Sequence, residues 1–154
     1  MEDGWLTFSV PGIPQGKGRP RATKARRKPY TPAKTVVYER DVRTGFLLGI
    51  QAASGKPMAG EGSLYGREAV EAEITAYYPI PKSATKTRQR LISTGAILPT
   101  VKPDADNVAK AVLDALNHLA YDDDSQVAIL TVRKEFCRAG EERVEVRMRP
   151  ATRT

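Results

Sequence analysis

The sequence predicts an α/β (α+β) two-layer sandwich, a small mixed β-sheet with helices on one face, in the order β-α-β-α-β-β. Three observations predict it. Apolar residues alternate at a period of two in residues 5–10 and again in residues 68–78. Helical stripes run through Val42, Phe46, Leu47 and Ile50, and later through Val108, Ala111, Val112, Ala115, Leu116 and Leu119. The C-terminal part then reads as two further strands split by a glycine-containing turn. A length of 154 residues suits one domain, 1–154, with a modest core.

Each element follows in order. Leu6, Phe8 and Val10 share one face of the first strand, which Pro11-Gly12 ends. Residues 13–30 are rich in Gly, Pro and basic side chains and read as a loop. Thr31-Pro32 then gives a helix start, Thr as N-cap and Pro at the first helical position, for a helix reaching about residue 53. Residues 54–67, with four glycines and a proline, make a connector. In the next strand Val70, Ala72, Ile74, Ala76 and Tyr78 face one side, and Glu71, Glu73 and Thr75 the other. Residues 80–103 hold five basic residues and no acid; they read as a mobile basic loop with a short helix near 84–91. The second long helix is predicted over 103–119, and Asp122-Asp123-Asp124 makes its exit turn. Residues 126–136 read as a strand, apolar on both faces over 127–132, as a central position requires. Residues 138–142 read as a hairpin turn before a last strand with Val144, Val146 and Met148 inward.

The charge is uneven. Lys plus Arg number 25 against 18 Asp plus Glu, a surplus of +7. The segment 16–28 carries seven basic residues, Lys17, Arg19, Arg21, Lys24, Arg26, Arg27 and Lys28, and no acid, so the whole surplus sits there. Such a localised field points to an anionic partner, most simply nucleic acid, or else to a solvated arm. One proline, two glycines and the lack of a bulky apolar face argue against a membrane-surface helix. Lys102 adds a basic side chain just before the second helix. The start of the chain shows no secretory pattern, and the chain reads as cytosolic. One cysteine, Cys137, excludes an intrachain disulfide and reads as a buried thiol. One histidine, His118, is too few for a histidine zinc site and reads as an exposed or capping imidazole near a helix end.

Against this basic background, six carboxylates fall between Asp104 and Asp124. Asp104 and Asp106 lie two apart at a helix start, where both can face one cation. An Asp at such a position is also a common N-cap, and the pair alone does not separate the two readings. Lys110 lies four residues after Asp106 on the same helix face. Oxygen ligands without His or Cys select Mg²⁺ or Mn²⁺. A calcium EF-hand is excluded, because the sixth position from Asp104 is Ala109 and the twelfth is Ala115.

Asp104-Ala105-Asp106-Asn107 with Lys110, Asp114, Ala115 and Leu116, followed by Asp123-Asp124-Ser125-Gln126-Val127, resembles the RusA family of Holliday-junction resolvases, in the form common in phages and prophages. The opening Val10-Pro11-Gly12-Ile13-Pro14-Gln15-Gly16-Lys17 is similar to that form too. The resemblance implies a homodimeric, metal-dependent endonuclease that cuts four-way DNA junctions in symmetric strands. It implies Asp104, Asp106 and Asp124 as metal-binding catalytic carboxylates with Mg²⁺ as cofactor, Mn²⁺ able to substitute, and Lys110 as the catalytic lysine. Counting back from Gln126 selects Asp124 among the three adjacent aspartates. Asn107, Asp114 and Asp123 are supporting candidates; Asp114 either orients Lys110 or is a surface acid. No small-molecule cofactor and no membrane partner are implied. Two other functions fit the same residues: a nuclease acting on flaps or other branched DNA, and a basic DNA-binding protein whose acids cap a helix and need no Mg²⁺.

Overall fold

The computed structural model describes residues 4–18, 21–23, 26–30 and 33–152, with the backbone alone for 21–23 and 26–30. The strands and helices are β1 (Leu6–Pro11), β2 (Arg21–Thr23), β3 (Arg26–Tyr30), α1 (Ala33–Ser54), β4 (Val70–Pro79), α2 (Lys86–Ser93), α3 (Ala105–Ala115), β5 (Val127–Cys137) and β6 (Arg143–Pro150). A 3₁₀ turn, Asp124–Gln126, precedes β5. The fold is the expected mixed α+β class, a four-stranded mixed sheet with three helices. Among the described residues no helix is long and apolar enough to cross a membrane.

The sheet order is β1-β6-β4-β5, with β6 antiparallel to both neighbours and β5 parallel to β4. The period-two patterns give one buried face. Leu6, Phe8 and Val10 of β1 join Val70, Ala72, Ile74, Ala76 and Tyr78 of β4 and Val144, Val146 and Met148 of β6. Against them lie Tyr38, Val42, Phe46 and Ile50 of α1 and Val108, Ala111, Val112 and Ala115 of α3. Phe8 and Phe46 meet edge to face, ring centres 5.7 Å apart. Gly45 and Gly49 let α1 lie directly on β1: a Cβ at Gly45 would stand 2.8 Å from the Ser9 carbonyl oxygen, and one at Gly49 would stand 2.9 Å from Phe8 Cβ and Thr7 O. The other sheet face is polar. Arg147 pairs with Glu73 at 2.6 Å and Arg149 with Glu71 at 2.9 Å, both guanidinium groups lying over the Trp5 ring.

Four expectations need correction. The segment 13–30 is not all loop, because β2 and β3 pair antiparallel within it. Backbone hydrogen bonds hold this hairpin, and its sequence has no apolar alternation to announce it. β5 is an edge strand rather than a central one, with Ile129 45 % and Leu130 44 % exposed. Its apolar run was the signature of double burial, yet only one side of the strand finds a partner. Residues 138–142 do not close a hairpin, since β4 lies between β5 and β6 and the turn passes over its end. The second long helix starts at Ala105 and stops at Ala115, with Leu116 as C-cap, short of residue 119. Past the helix end His118 takes a φ of 68°, and its N–H donates to Tyr121 O at 2.7 Å as the chain turns toward the acidic residues; His118 is exposed, and Cys137 is half-buried. In the basic loop the short helix falls at Lys86–Ser93, capped by the Thr85 hydroxyl accepting from Arg88 N–H. The predicted helix start at Thr31-Pro32 lies outside the described residues.

Candidate active site

Asp104 sits at the N-cap position of α3, yet its side chain makes no capping hydrogen bond. The Asp104 carbonyl accepts the first intrahelical bond, from Val108 N–H at 3.0 Å, and the residue is exposed. The carboxylate is therefore left to the solvent side. There Asp104, Asp106, Asn107, Lys110 and Asp114 of α3 line one pocket of about 510 Å³, closed on the far side by Lys17 and Gly18. The spacing explains it: residues 106, 110 and 114 recur every four positions, the polar row opposite the buried stripe. The α3 entry is fixed from below, where the Tyr78 hydroxyl donates to Pro103 O at 2.8 Å. Burial, and then the charge of Asp104, push Tyr78 up to about 12.

The acidic turn assigns its three aspartates to three tasks. Asp122 accepts from the Ser63 hydroxyl at 2.8 Å and pairs with Arg67 at 3.5 Å, tying down the connector before β4. Asp123 caps the 3₁₀ turn, accepting from Ser125 N–H at 2.9 Å, while Gln126 Oε1 accepts from Asp123 N–H at 2.9 Å, a capping box. The hydrogen bond to Ser125 lowers the Asp123 carboxyl from its ordinary range. Gln126 Nε2 also donates to Gly66 O and Glu68 O, both at 2.9 Å, so the turn is anchored on both sides. Asp124 alone is aimed back at α3. Its N–H donates to Asn117 Oδ1 at 2.8 Å, and its carboxyl is hydrogen-bonded to Asp114.

That last contact decides the electrostatics. Two carboxyls in hydrogen-bond contact share one proton. The Asp114 hydrogen bond, burial and the neighbouring negative charges push Asp124 up to about 6. Asp114 is lowered: burial alone would raise it, but the Asp124 hydrogen bond and the Lys17 ammonium prevail. Lys17 Nζ lies 2.8 Å from Asp114 and 3.2 Å from Glu39 of α1. Burial would lower this lysine, but the carboxylates of Asp114 and Glu39 outweigh it, and its pKa is raised. Lys110 is exposed and forms no ion pair among the described residues.

The sequence-predicted residues are thus partly gathered. Asp104, Asp106, Asn107, Lys110, Asp114 and Lys17 line one pocket, and Asp124 joins it through Asp114. Asp114 is a bridge between Asp124 and Lys17, neither a surface acid nor a partner of Lys110 in an ion pair. Lys102 borders an adjoining groove of about 880 Å³ that shares Lys17, Gly18, Asp104 and Asn107. Arg19 and Lys24 lie outside the described residues, as do the side chains of Arg21, Arg26, Arg27 and Lys28. The sequence reading missed Glu39, whose only signal is its place four residues after Thr35 and three before Val42, on the inward stripe of α1. Among the described residues no three acidic, histidine or cysteine side chains are grouped closely enough to form a finished metal cage. The donor chemistry nevertheless suits a hard cation, because the acids that line the pocket offer only oxygen.

The Endodeoxyribonuclease RusA family matches residues 11–149, nearly the whole chain. The chain belongs to the RusA endodeoxyribonuclease family. The match runs from Pro11, the last residue of β1, to Arg149 in β6 and contains every pocket residue. The chain is similar to the uncharacterized protein YqaN of Bacillus subtilis (strain 168), 37 % identical over 148 residues, covering 94 % of this chain and 95 % of that protein.

Proposed function

We propose that this RusA-family chain is a Mg²⁺-dependent, structure-specific endodeoxyribonuclease that resolves four-way DNA junctions by paired, symmetric phosphodiester cleavage. The observation that carries this reading is the free carboxylate of Asp104: at an N-cap position it makes no capping bond, and it shares a pocket with Asp106, Lys110 and Asp114. Acids that only cap a helix would be spent on backbone N–H groups, as Asp123 is.

In this reading Asp104, Asp106 and Asp124 hold the ion, with Mn²⁺ able to replace Mg²⁺. When bound, the ion supplies Lewis acidity toward a phosphate oxygen and lowers the pKa of water. The chain's own residues do the rest. Asp124 releases the proton it shares with Asp114 when a cation takes its place. Lys110, exposed at the pocket wall, offsets negative charge growing on the attacked phosphate. Asn107 offers an amide beside it, and the basic segment from Arg19 to Lys28 with Lys102 grips flanking phosphates.

One carboxylate cluster hydrolyses one phosphodiester at a time, while a four-way junction needs two cuts related by two-fold symmetry. A two-fold homodimer meets that need most simply. The test is cleavage of a synthetic four-way junction and of a cruciform plasmid, with Mg²⁺ and with EDTA, beside light scattering. Mostly linear product that depends on Mg²⁺, from a dimer, is the expected result. Nicked circles without linear product, or a stable monomer, refute junction resolution. Equal cutting of flaps and junctions moves the reading to a general branched-DNA nuclease, and metal-independent binding without cutting moves it to a DNA-binding protein.

A further inference from the structure

Gly16, Lys17 and Gly18 open the basic segment, and composition alone groups Lys17 with the phosphate-binding cations that follow. Its surroundings differ. Three consecutive residues dock on two helices. Gly16 lies flat on the start of α3: a Cβ there would stand 2.1 Å from Asn107 Nδ2 and 3.2 Å from Pro103 Cβ. Lys17 spans α1 and α3 through Glu39 and Asp114. Gly18 N–H donates at 2.9 Å to the hydroxyl of Thr35, the buried polar side chain of the α1 first turn.

We infer that Lys17 is a positioning residue, a strut that fixes Asp114 and the root of the basic segment to the carboxylate pocket, and not a phosphate contact. The inference rests on the nuclease reading above and names a part of that site. An ammonium between two carboxylates sits in a locally negative environment, so a DNA phosphate gains little by approaching it. Its side chain is only 26 % exposed, with Glu39 at 19 % and Asp114 at 18 %. Lys110 on the opposite pocket wall keeps its charge available. Two lysines in one pocket thus have separate tasks.

The placement has reach as well as charge. β2 begins at Arg21, three residues after Gly18, so its start lies within about 11 Å of Gly18 even on a fully extended chain. Pinning residues 16–18 therefore holds the base of the β2–β3 hairpin at the rim of the pocket. The strut also sets Asp114, which in turn is hydrogen-bonded to Asp124. A loose Lys17 would release both.

The experiment compares full-length wild type with Lys17→Gln, Lys17→Arg, Glu39→Gln and the Lys17→Gln/Glu39→Gln pair. Three readouts are taken: junction affinity against salt in EDTA, single-turnover junction cleavage in Mg²⁺, and amide exchange of the DNA-free, metal-free protein. Lys17→Gln should leave the salt slope unchanged and slow single-turnover cleavage about tenfold to a hundredfold. Gly18 N–H should lose protection in the same variant. Lys17→Arg, keeping charge and reach to both carboxylates, should recover most of the rate and the protection. The double variant should be no worse than Lys17→Gln, because both remove one strut. A salt slope flattened by about 0.9 would make Lys17 a phosphate contact and overturn the inference. So would an unchanged cleavage rate, or Gly18 protection that survives Lys17→Gln. Wild type that binds junctions but never cuts them would refute the nuclease reading instead, and the strut would then stand or fall on salt slope and exchange.

Discussion

Asp114→Asn tests the proton shared at the heart of the site. Asn keeps the size and the ability to hydrogen-bond but brings no charge. Wild-type Asp124 is pushed up to about 6, with the Asp114 hydrogen bond the largest cause. Without it, Asp124 should return toward about 3.9, a fall of about two pH units. Between those values the metal-free wild type carries one more proton than the variant. The stability signs follow. A raised carboxyl contributes stability that is present below its unfolded value and lost as pH rises through its folded one, here from about 4 to 6. The lowered Asp114 works in the opposite sense, its contribution present above its ordinary range and lost at lower pH. Relative to Asp114→Asn, metal-free wild type should therefore lose melting temperature between pH 4 and 6, and the difference should level off above. A cation entering the site competes with the proton, so apparent Mn²⁺ affinity of the wild type should fall about fivefold from pH 6 to pH 5. The variant should show almost no such fall. Carboxyl-carbon NMR from pH 3 to 8 reads the titration directly. A resonance still titrating near 6 in Asp114→Asn, or none in wild type, would refute the shared proton.

Asp104→Asn, Asp106→Asn and Asp124→Asn should each lower junction cleavage by orders of magnitude while gel-shift binding in EDTA persists or tightens; normal cutting by the first two would refute the site. Asp123→Asn should cut nearly as well as wild type, because Asn also caps the 3₁₀ turn, and a loss matching that of Asp124→Asn would reassign the acidic turn. Gln126→Ala removes hydrogen bonds to Gly66, Glu68 and Asp123 and should cost about 1–3 kcal/mol in urea unfolding, with slower cleavage because Asp124 loses its anchor. Replacing Arg26, Arg27 and Lys28 with Gln should flatten the dependence of junction affinity on salt, by about 0.9 for each phosphate no longer neutralised, and weaken binding to all sequences alike; an unchanged slope would make that run a spectator.

The parts of the fold that sequence foretold are those where one face is buried and the period is unbroken. β1, β4 and β6 alternate cleanly because each packs one side on helices. The stripe of α3 is equally plain. β5 misled for a physical reason: Val127 to Val132 carry the composition of a strand buried on both sides, but hydrogen-bond order is set by the whole sheet, and β4 took the middle. The β2–β3 hairpin left no trace because backbone pairing among Arg and Lys residues needs no pattern. At the site, spacing along α3 was enough to gather Asp106, Lys110 and Asp114. It was silent on Glu39, which reaches the site across a gap in sequence of 75 residues from Asp114. The division among Asp122, Asp123 and Asp124 was legible only by counting from Gln126, since three identical side chains differ by direction alone.

The two glycines of α1 give the site a mechanical dependence on a region remote from its chemistry. Helix α1 is 22 residues long, about 33 Å, and meets β1 at Gly45 and Gly49 with no side chain between helix and strand backbone. That contact acts as a fulcrum. Glu39 stands six residues toward the N-terminus, about 9 Å along the helix, and Thr35 about 6 Å further. Any side chain at the fulcrum lifts the helix off the sheet, and the resulting tilt grows along the lever arm toward Glu39 and Thr35. Two positions that touch neither acid nor arm thereby set the alignment of both.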